Sequence, residues 1–144
     1  MKISEVMTSN VTVASPDQSI QDAAAMMLKL DAGALPVGDD DRLIGMITDR
    51  DIALRAVARG KGVETRIRDV MTKDVRYCFD DQDTDEIAET MGSEQVRRLP
   101  VINRDKRLVG IVSLGDLALQ RAADDAAGDA LSGISRPAGS HNQA

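Results

Sequence analysis

The spacing of apolar residues in the first half of the chain predicts two helices. Apolar residues recur at helical spacing over 20–28. Ser19 precedes this stretch and Asp22 follows three residues later, a pair that resembles the capping box found at many helix starts. A second helix is predicted over 49–59, with Gly60 as the residue that ends it.

Short apolar runs on either side of the first helix predict β-strands. Leu-Pro-Val at 35–37 is separated from a longer apolar run at 43–48 by a polar loop with three consecutive aspartates, as in a hairpin. Before the first helix, Val-Thr-Val at 11–13 is rich in residues that favour strands. The predicted order of elements is therefore β-α-β-β-α.

The same motifs recur in the second half of the chain. Three of them occur twice in one order: Val-Met-Thr at 6–8 and 70–72, Leu-Pro-Val at 35–37 and 99–101, and a strand-to-helix segment at 43–54 and 108–119. The first two pairs are 64 residues apart, and the third is 65 residues apart. This offset predicts a tandem duplication, an α+β fold in which two β-α-β-β-α units are related by pseudo-twofold symmetry.

The duplication divides the chain into three predicted parts. These are a first unit at 1–62, a second unit at 63–122 and a mobile C-terminal tail at 123–144. The tail is rich in Ala, Gly, Ser and Asp and lacks apolar periodicity. Because a unit of about 60 residues is marginally stable alone, we expect the two units to pack together and to form a cleft where they join.

Composition excludes several classes of function. The chain has 144 residues, with 18 Lys and Arg against 24 Asp and Glu, and a net charge of −6. This acidic balance, with one Tyr and one Phe, disfavours binding to nucleic acid. The single cysteine, Cys78, cannot form an internal disulfide, and no cluster of His and Cys predicts a metal site. The N-terminus lacks an apolar signal and no aliphatic run could span a membrane, so a cytoplasmic protein is expected.

The repeated strand-to-helix segment carries the candidate binding chemistry. Each copy reads Gly-h-h-[Ser/Thr]-x-x-Asp, where h is apolar: Gly45, Thr48 and Asp51 in the first, and Gly110, Ser113 and Asp116 in the second. The hydroxyl can donate to a phosphate or sugar oxygen, and amides at a helix start attract anions. The carboxylate suits the two O–H donors of a cis-diol, and the glycine leaves room for a flat ligand against the strand. Together these groups favour a ribonucleoside with its phosphate.

A second interpretation of the same residues needs no ligand. They have the positions of helix caps and first-turn acids, which stabilise a helix by themselves: Thr48, Asp49, Ser113 and Asp116. The occurrence of the pattern at the same place in both repeats favours the binding site over this alternative.

The paired Leu-Pro-Val and Gly-h-h-[Ser/Thr]-x-x-Asp, each preceded by Val-Met-Thr, resembles a CBS-domain pair, or Bateman module, over roughly residues 3 to 122. The resemblance implies disc-like dimers and clefts between the two units that bind an adenosine-containing ligand. The implied ligands are AMP, ADP, ATP or NAD(H), with S-adenosylmethionine less expected, and no tightly bound cofactor is implied.

The resemblance also implies roles for individual residues. Asp51 and Asp116 would hold ribose hydroxyls, while Thr48 and Ser113 would contact the ribose or the first phosphate. The stretch after each Val-Met-Thr would meet the base: Val11, Thr12 and Val13 in one unit, and Val75, Arg76 and Tyr77 in the other.

The two repeats differ at positions that would surround a ligand. Near the base, Thr12 and Pro16 correspond to Arg76 and Asp80, so the first repeat is closer to the family pattern. Near the phosphate, Arg97 and Arg98 stand where the first repeat has Gly33 and Ala34, and Arg50 corresponds to Gly115. Arg98 is therefore a further candidate contact, and the two clefts are expected to be non-equivalent.

Three functions are compatible with these features. The leading one is a regulatory module that senses energy or redox state by binding an adenine nucleotide and signals its occupancy to a separate partner protein. The second is an enzyme, which would need a nucleophile–base pair or a metal, whereas the only histidine, His141, lies in the predicted tail. The third is a structural dimerisation module without a physiological ligand. An enzyme is therefore not expected, nor is a nucleic-acid or membrane partner.

Self-association is expected because two small units have limited cores, so that a homodimer would bury further apolar surface. The candidate faces lie on the helix after each repeated motif: Ile52, Ala53, Ala56 and Val57 in one unit, and Leu117, Ala118 and Arg121 in the other.

Overall fold

The computed structural model describes residues 1–128 of the chain. These residues form two compact units. The central unit comprises Thr12–Arg76 and Lys106–Leu108, and the terminal unit comprises Met1–Val11, Tyr77–Asp105 and residues 109–128. Within the described residues, no helix combines the length and apolarity needed to cross a bilayer.

The central unit contains the elements predicted for the first repeat. They are helix α1 (Ile20–Leu30), strands β1 (Ala34–Asp39) and β2 (Arg42–Thr48), and helix α2 over 49–59. The two strands form an antiparallel hairpin with a bulge between Val37 and Gly38. Helix α2 changes type along its length: α-helical at Asp49–Asp51, π-helical at Ile52–Ala56 and 3-10 at Val57–Arg59.

The terminal unit repeats this order of elements. It contains strand β3 (Cys78–Phe79), helix α3 (Thr84–Glu94), strands β4 (Arg98–Ile102) and β5 (Leu108–Ser113), and helix α4 (Leu114–Gly128), except that Leu108 belongs to the central unit. The sheet order is β3-β4-β5, and β3 runs parallel to β4 with Cys78 opposite Val101. The α+β duplication predicted from the sequence is therefore confirmed.

Each unit has its own apolar core, and residues at equivalent positions of α1 and α3 are buried in the two units. On α1 the buried residues are Ile20, Ala23 and Met27, and on α3 the residues 64 positions later are buried as well: Thr84, Ile87 and Met91. The predicted apolar stripe on α1 was too wide, since Leu28 is exposed. Ala56 and Leu117, both placed on the predicted self-association faces, instead lie in the two cores.

The stretches at 11–13 and 75–77 are not strands, contrary to the prediction. In the central unit, the extended contact is a single parallel bridge from Ala14 to Val37. The Ala14 amide donates to the Pro36 carbonyl at 2.9 Å, and the Gly38 amide donates to the Ala14 carbonyl at 2.9 Å. In the terminal unit, the equivalent contact begins at Cys78. Strand-favouring side chains do not create a strand where the backbone lacks a neighbour, because β propensity depends on context.

Helix α4 continues through Gly128, beyond the predicted end of the second repeat at residue 122. The added turn is rich in alanine, which has the highest intrinsic helix propensity. The rest of the predicted mobile tail lies outside the described residues, and the predicted boundaries at 1–62 and 63–122 stay predictions.

Candidate functional site

The repeated motif places its hydroxyl and its carboxylate in direct contact. The Thr48 amide donates to Asp51 Oδ2 at 3.0 Å, and the Asp51 amide donates to Thr48 Oγ1 at 3.0 Å. Ser113 and Asp116 make the same two hydrogen bonds, both at 3.0 Å. Each pair is thus a reciprocal capping box at the start of its helix. The predicted helix-capping roles of Thr48, Ser113 and Asp116 are confirmed, whereas Asp49 is a first-turn residue outside the capping box, whose acidic member is Asp51.

Capping leaves unused groups that a ligand could bind. A hydroxyl that accepts a hydrogen bond through its oxygen still has its own proton to donate. The second carboxylate oxygen, Oδ1, takes no part in either capping box. Asp51 is only 9% exposed, whereas Asp116 is half-buried. Both motifs therefore present one O–H donor and one carboxylate oxygen beside the helix start.

The helix starts offer fewer free amides than the sequence pattern suggested. The first amide of α2, that of Asp49, donates to the Gly33 carbonyl at 3.0 Å, and that of α4, Leu114, donates to the Arg97 carbonyl at 2.8 Å. The third amide in each helix donates to the capping hydroxyl. Two of the first three amides thus have protein acceptors, which weakens the expected attraction of the helix start for a phosphate.

The motif glycines are explained by a close backbone approach rather than by room for a ligand. A Cβ atom at Gly45 would lie 2.7 Å from the Thr72 carbonyl oxygen and 3.0 Å from Met71 Sδ. At Gly110 it would lie 2.8 Å from the Thr8 carbonyl oxygen and 2.6 Å from Met7 Sδ. Both contacts are with a Val-Met-Thr segment, so each motif glycine packs closely against one of the two Val-Met-Thr copies.

These contacts connect each Val-Met-Thr with the motif of the other repeat. Met46 and Thr72 exchange two backbone hydrogen bonds of 2.9 Å, and Thr8 and Ile111 exchange two of 2.9 and 3.0 Å. The Val-Met-Thr at 6–8 therefore belongs to the terminal unit, and its copy at 70–72 belongs to the central unit.

The compact units also divide the residues predicted to bind a ligand. The central unit holds Thr12, Val13, Gly45, Thr48, Asp51, Val75 and Arg76, and the terminal unit holds Val11, Tyr77, Arg98, Gly110, Ser113 and Asp116. Each three-residue stretch predicted to meet the base is thus split between the units. Val13 and Tyr77, which are 64 residues apart, both expose an apolar side chain, and Tyr77 packs edge-on against Phe79 with ring centroids 5.8 Å apart.

Arg55 lies next to the first motif and was missed by the sequence reasoning. Its Nε lies 3.7 Å from Asp51 Oδ1. Its Nη1 donates to the carbonyls of Val70 and Met71 at 3.4 and 3.3 Å. A signal was present in the sequence, because the equivalent position in the second repeat holds the uncharged Gln120.

Other candidate chemistry is not supported by the structure. Cys78 is buried, and burial, together with the charge of Asp80, raises the pKa of its thiol to about 12. The thiolate required for reactivity is therefore disfavoured at neutral pH. Among residues 1–128, no three His, Cys, Asp or Glu side chains are grouped so that they could hold a metal ion.

Comparison with known proteins yields consistent matches. The sequence model of the CBS domain matches residues 3–57 and 67–122. The CBS domain-containing protein YhcV of Bacillus subtilis is 40% identical over 133 residues, which cover 92% of this chain and 94% of that protein.

Two solved structures of the same fold contain adenosine compounds. The CBS domain pair of protein MJ0100, in complex with 5′-methylthioadenosine and S-adenosyl-L-methionine, has a TM-score of 0.74 and 27% identity, covering 86% of this chain and 98% of that one. CBSX2 in complex with AMP has a TM-score of 0.72 and 27% identity, covering 86% of this chain and 96% of that one.

Proposed function

The chain belongs to the CBS domain family, and we propose that it is a non-catalytic regulatory module that binds an adenosine-containing ligand and signals its occupancy to a partner protein. The observation that carries this proposal is the duplicated capping box, which leaves a carboxylate oxygen and a hydroxyl proton available in each unit. Similar structures that contain AMP, or methylthioadenosine with S-adenosylmethionine, support an adenosine compound as the ligand.

The available groups match the chemistry of a ribose. A cis-diol has two O–H donors, and an ionised carboxylate is an acceptor-only group that can receive both. Each hydrogen bond to a charged acceptor contributes about 1.5–3 kcal/mol. The hydroxyl of Thr48 or Ser113 would then donate to a ribose or phosphate oxygen. The candidate ligands remain AMP, ADP, ATP and NAD(H), with S-adenosylmethionine less expected.

The capping boxes also favour a second candidate, a structural dimerisation module without a physiological ligand. Helix capping alone gives Thr48, Asp51, Ser113 and Asp116 a structural role. The two candidates make opposite predictions for nucleotide binding.

Isothermal titration of AMP, ATP and NADH into the full chain tests the proposal through two variants, Asp51→Asn and Asp116→Asn. Asparagine keeps an oxygen that can accept a hydrogen bond from the capping amide, whereas alanine would leave a partly buried amide unpaired, at a cost of up to about 1–3 kcal/mol. Losing the charge of one site should weaken binding at that site about tenfold to a hundredfold. We expect Asp51→Asn to affect the tighter site, since the first repeat is closer to the family pattern.

The matched control is Asp49→Asn, which removes the same charge from an exposed first-turn residue outside the capping box. It should change affinity by less than about twofold, as expected for a screened surface charge. The structural alternative is correct if wild type binds none of the three nucleotides. If wild type binds and both motif variants match the control, the ribose assignment is wrong.

A further inference from the structure

Arg55 contacts two parts of the central unit, the carboxylate of Asp51 and the Val-Met-Thr segment at 70–72. It lies four residues after Asp51, so the two side chains share one face of the helix. Asp51 Oδ2 is already bound to the Thr48 amide, and the guanidinium Nε faces the other oxygen, Oδ1, at 3.7 Å. Arg55 therefore contacts the carboxylate oxygen that remains available for a ligand.

The other end of the guanidinium reaches the Val-Met-Thr segment at 70–72. Nη1 lies 3.4 Å from the Val70 carbonyl oxygen and 3.3 Å from that of Met71. The next residue, Thr72, exchanges backbone hydrogen bonds with Met46 and lies against Gly45. The segment thus contacts both the binding motif and Arg55, and after Arg76 the chain continues into the terminal unit.

The second repeat is built differently at this position. Gln120 replaces Arg55, so the second repeat has no guanidinium at the equivalent position. The helix type differs as well, because Arg55 lies in the π-helical turn Ile52–Ala56, whereas α4 is α-helical from Leu114 to Gly128. π-Helical turns inserted in helices occur frequently at functional sites.

We propose that Arg55 is a positioning residue that couples the carboxylate of Asp51 to the 70–72 segment. The guanidinium orients Oδ1 for a diol, and it divides its interactions between that oxygen and the two carbonyls. When two O–H groups bind Oδ1, they share its charge, and the guanidinium interacts more strongly with the carbonyls. The ligand-dependent part of this coupling rests on the proposed function, whereas the link between Asp51 and the segment does not.

Hydrogen exchange of the Thr72 amide, which donates to the Met46 carbonyl at 2.9 Å, measures the link without a ligand. Full-length wild type is compared with Asp51→Asn, Arg55→Gln and the double variant. Each single change should speed exchange at Thr72 by about three- to tenfold, as for the loss of one weak charge-assisted hydrogen bond. The double variant should be no faster than Arg55→Gln, because both changes break the same connection.

Arg59→Gln is the matched control. It removes the same charge from the same helix, one turn further on, at an exposed position. Exchange at Thr72 should stay at the wild-type rate. The coupling is overturned if Arg55→Gln behaves like Arg59→Gln, or if the effects of Asp51→Asn and Arg55→Gln simply add.

A second arm adds AMP and compares wild type with Arg55→Lys. A single ammonium keeps the charge but lacks the planar fork that reaches Asp51 and two carbonyls together. At AMP concentrations that saturate each protein, AMP should slow Thr72 exchange in wild type, and Arg55→Lys should lose that slowing. If AMP slowed Thr72 exchange equally in Arg55→Lys and in wild type, the proposed ligand-dependent coupling would be overturned. If the ligand-free arm behaves as expected and no nucleotide binds, the proposed function fails while the Arg55 link stands.

Discussion

At the scale of single residues, the motif residues have structural roles that do not depend on a ligand. Asp51 and Asp116 accept the hydrogen bonds that complete the capping boxes. Because Gly45 lacks a side chain, the backbone of Thr72 can pack closely against it. The sequence identified these positions because the pattern occurs twice. It could not show why the glycine is needed, because the Thr72 backbone comes close to Gly45 only in the folded chain.

The close approach predicts that Gly45→Ala is destabilising. The new methyl group would lie 2.7 Å from the Thr72 carbonyl oxygen, so the paired backbone must shift. We expect the free energy of unfolding, measured by urea denaturation, to fall by about 1–3 kcal/mol.

The control for this change is Gly92→Ala. Gly92 lies inside α3, and a Cβ atom there would meet nothing within 4 Å. Alanine should therefore stabilise the helix by about 0.5–1 kcal/mol. A Gly45→Ala protein as stable as wild type would show that the 70–72 segment is not held closely against β2.

At the scale of elements, the duplicated helices end in the same way. Helix α1 is followed by Asp31 and α3 by Gln95, which are 64 residues apart, and both adopt the left-handed conformation with φ of 53° and 56°. The helical pattern of apolar residues ends at residue 28, two residues before the observed end of α1 at Leu30. The sequence did not identify Gln95 as left-handed, because glutamine, unlike glycine, gives no local signal for that conformation.

Gln95→Gly should stabilise the protein. Glycine adopts a positive φ without the steric cost that a β-carbon imposes, and it is the residue most often found at this position after a helix. The greater flexibility of glycine in the unfolded chain offsets part of this benefit. We therefore expect the free energy of unfolding to rise by about 0.5–1 kcal/mol, which would be seen as a rise in Tm.

The opposite change provides the control. Gly60 follows α2 with a φ of 76° and has open space around it, so that Gly60→Ala tests conformation without a packing clash. It should lower Tm, since alanine is strained at that φ. If Gln95→Gly lowers Tm as well, the glutamine side chain stabilises the end of α3 by more than its positive φ costs.

At the scale of the molecule, the repeated motifs revealed the duplication, but they did not show which compact unit each segment joins. The Val-Met-Thr copies at 6–8 and 70–72 each bind the strand of the other repeat, so the compact units cross the repeat boundary. Sequence offsets are the same whichever strand a segment joins. The three-dimensional pairing decides this assignment, and it also decides which unit each predicted base-contacting residue belongs to.

Exposed apolar residues at equivalent places on α2 and α4 predict self-association. Leu54 and Val57 are 47% and 66% exposed, and Leu119, which corresponds to Leu54, is 52% exposed. Covering such side chains contributes about 25 cal/mol for each Å² of apolar surface, and one face repeated on both helices suits a symmetric dimer. Light scattering at micromolar concentration should give about twice the chain mass of 15.5 kDa.

The combined change Leu54→Glu and Leu119→Glu should convert the dimer to a monomer, because it places a charge on the exposed apolar surface of each helix. Leu28→Glu is the control, since Leu28 is exposed on α1, away from these helices, and it should leave the dimer intact. A wild-type mass of 15.5 kDa would contradict self-association altogether. A dimer that survives the double change but not Leu28→Glu would place the interface on α1, where the exposed end of the helix also carries Leu30.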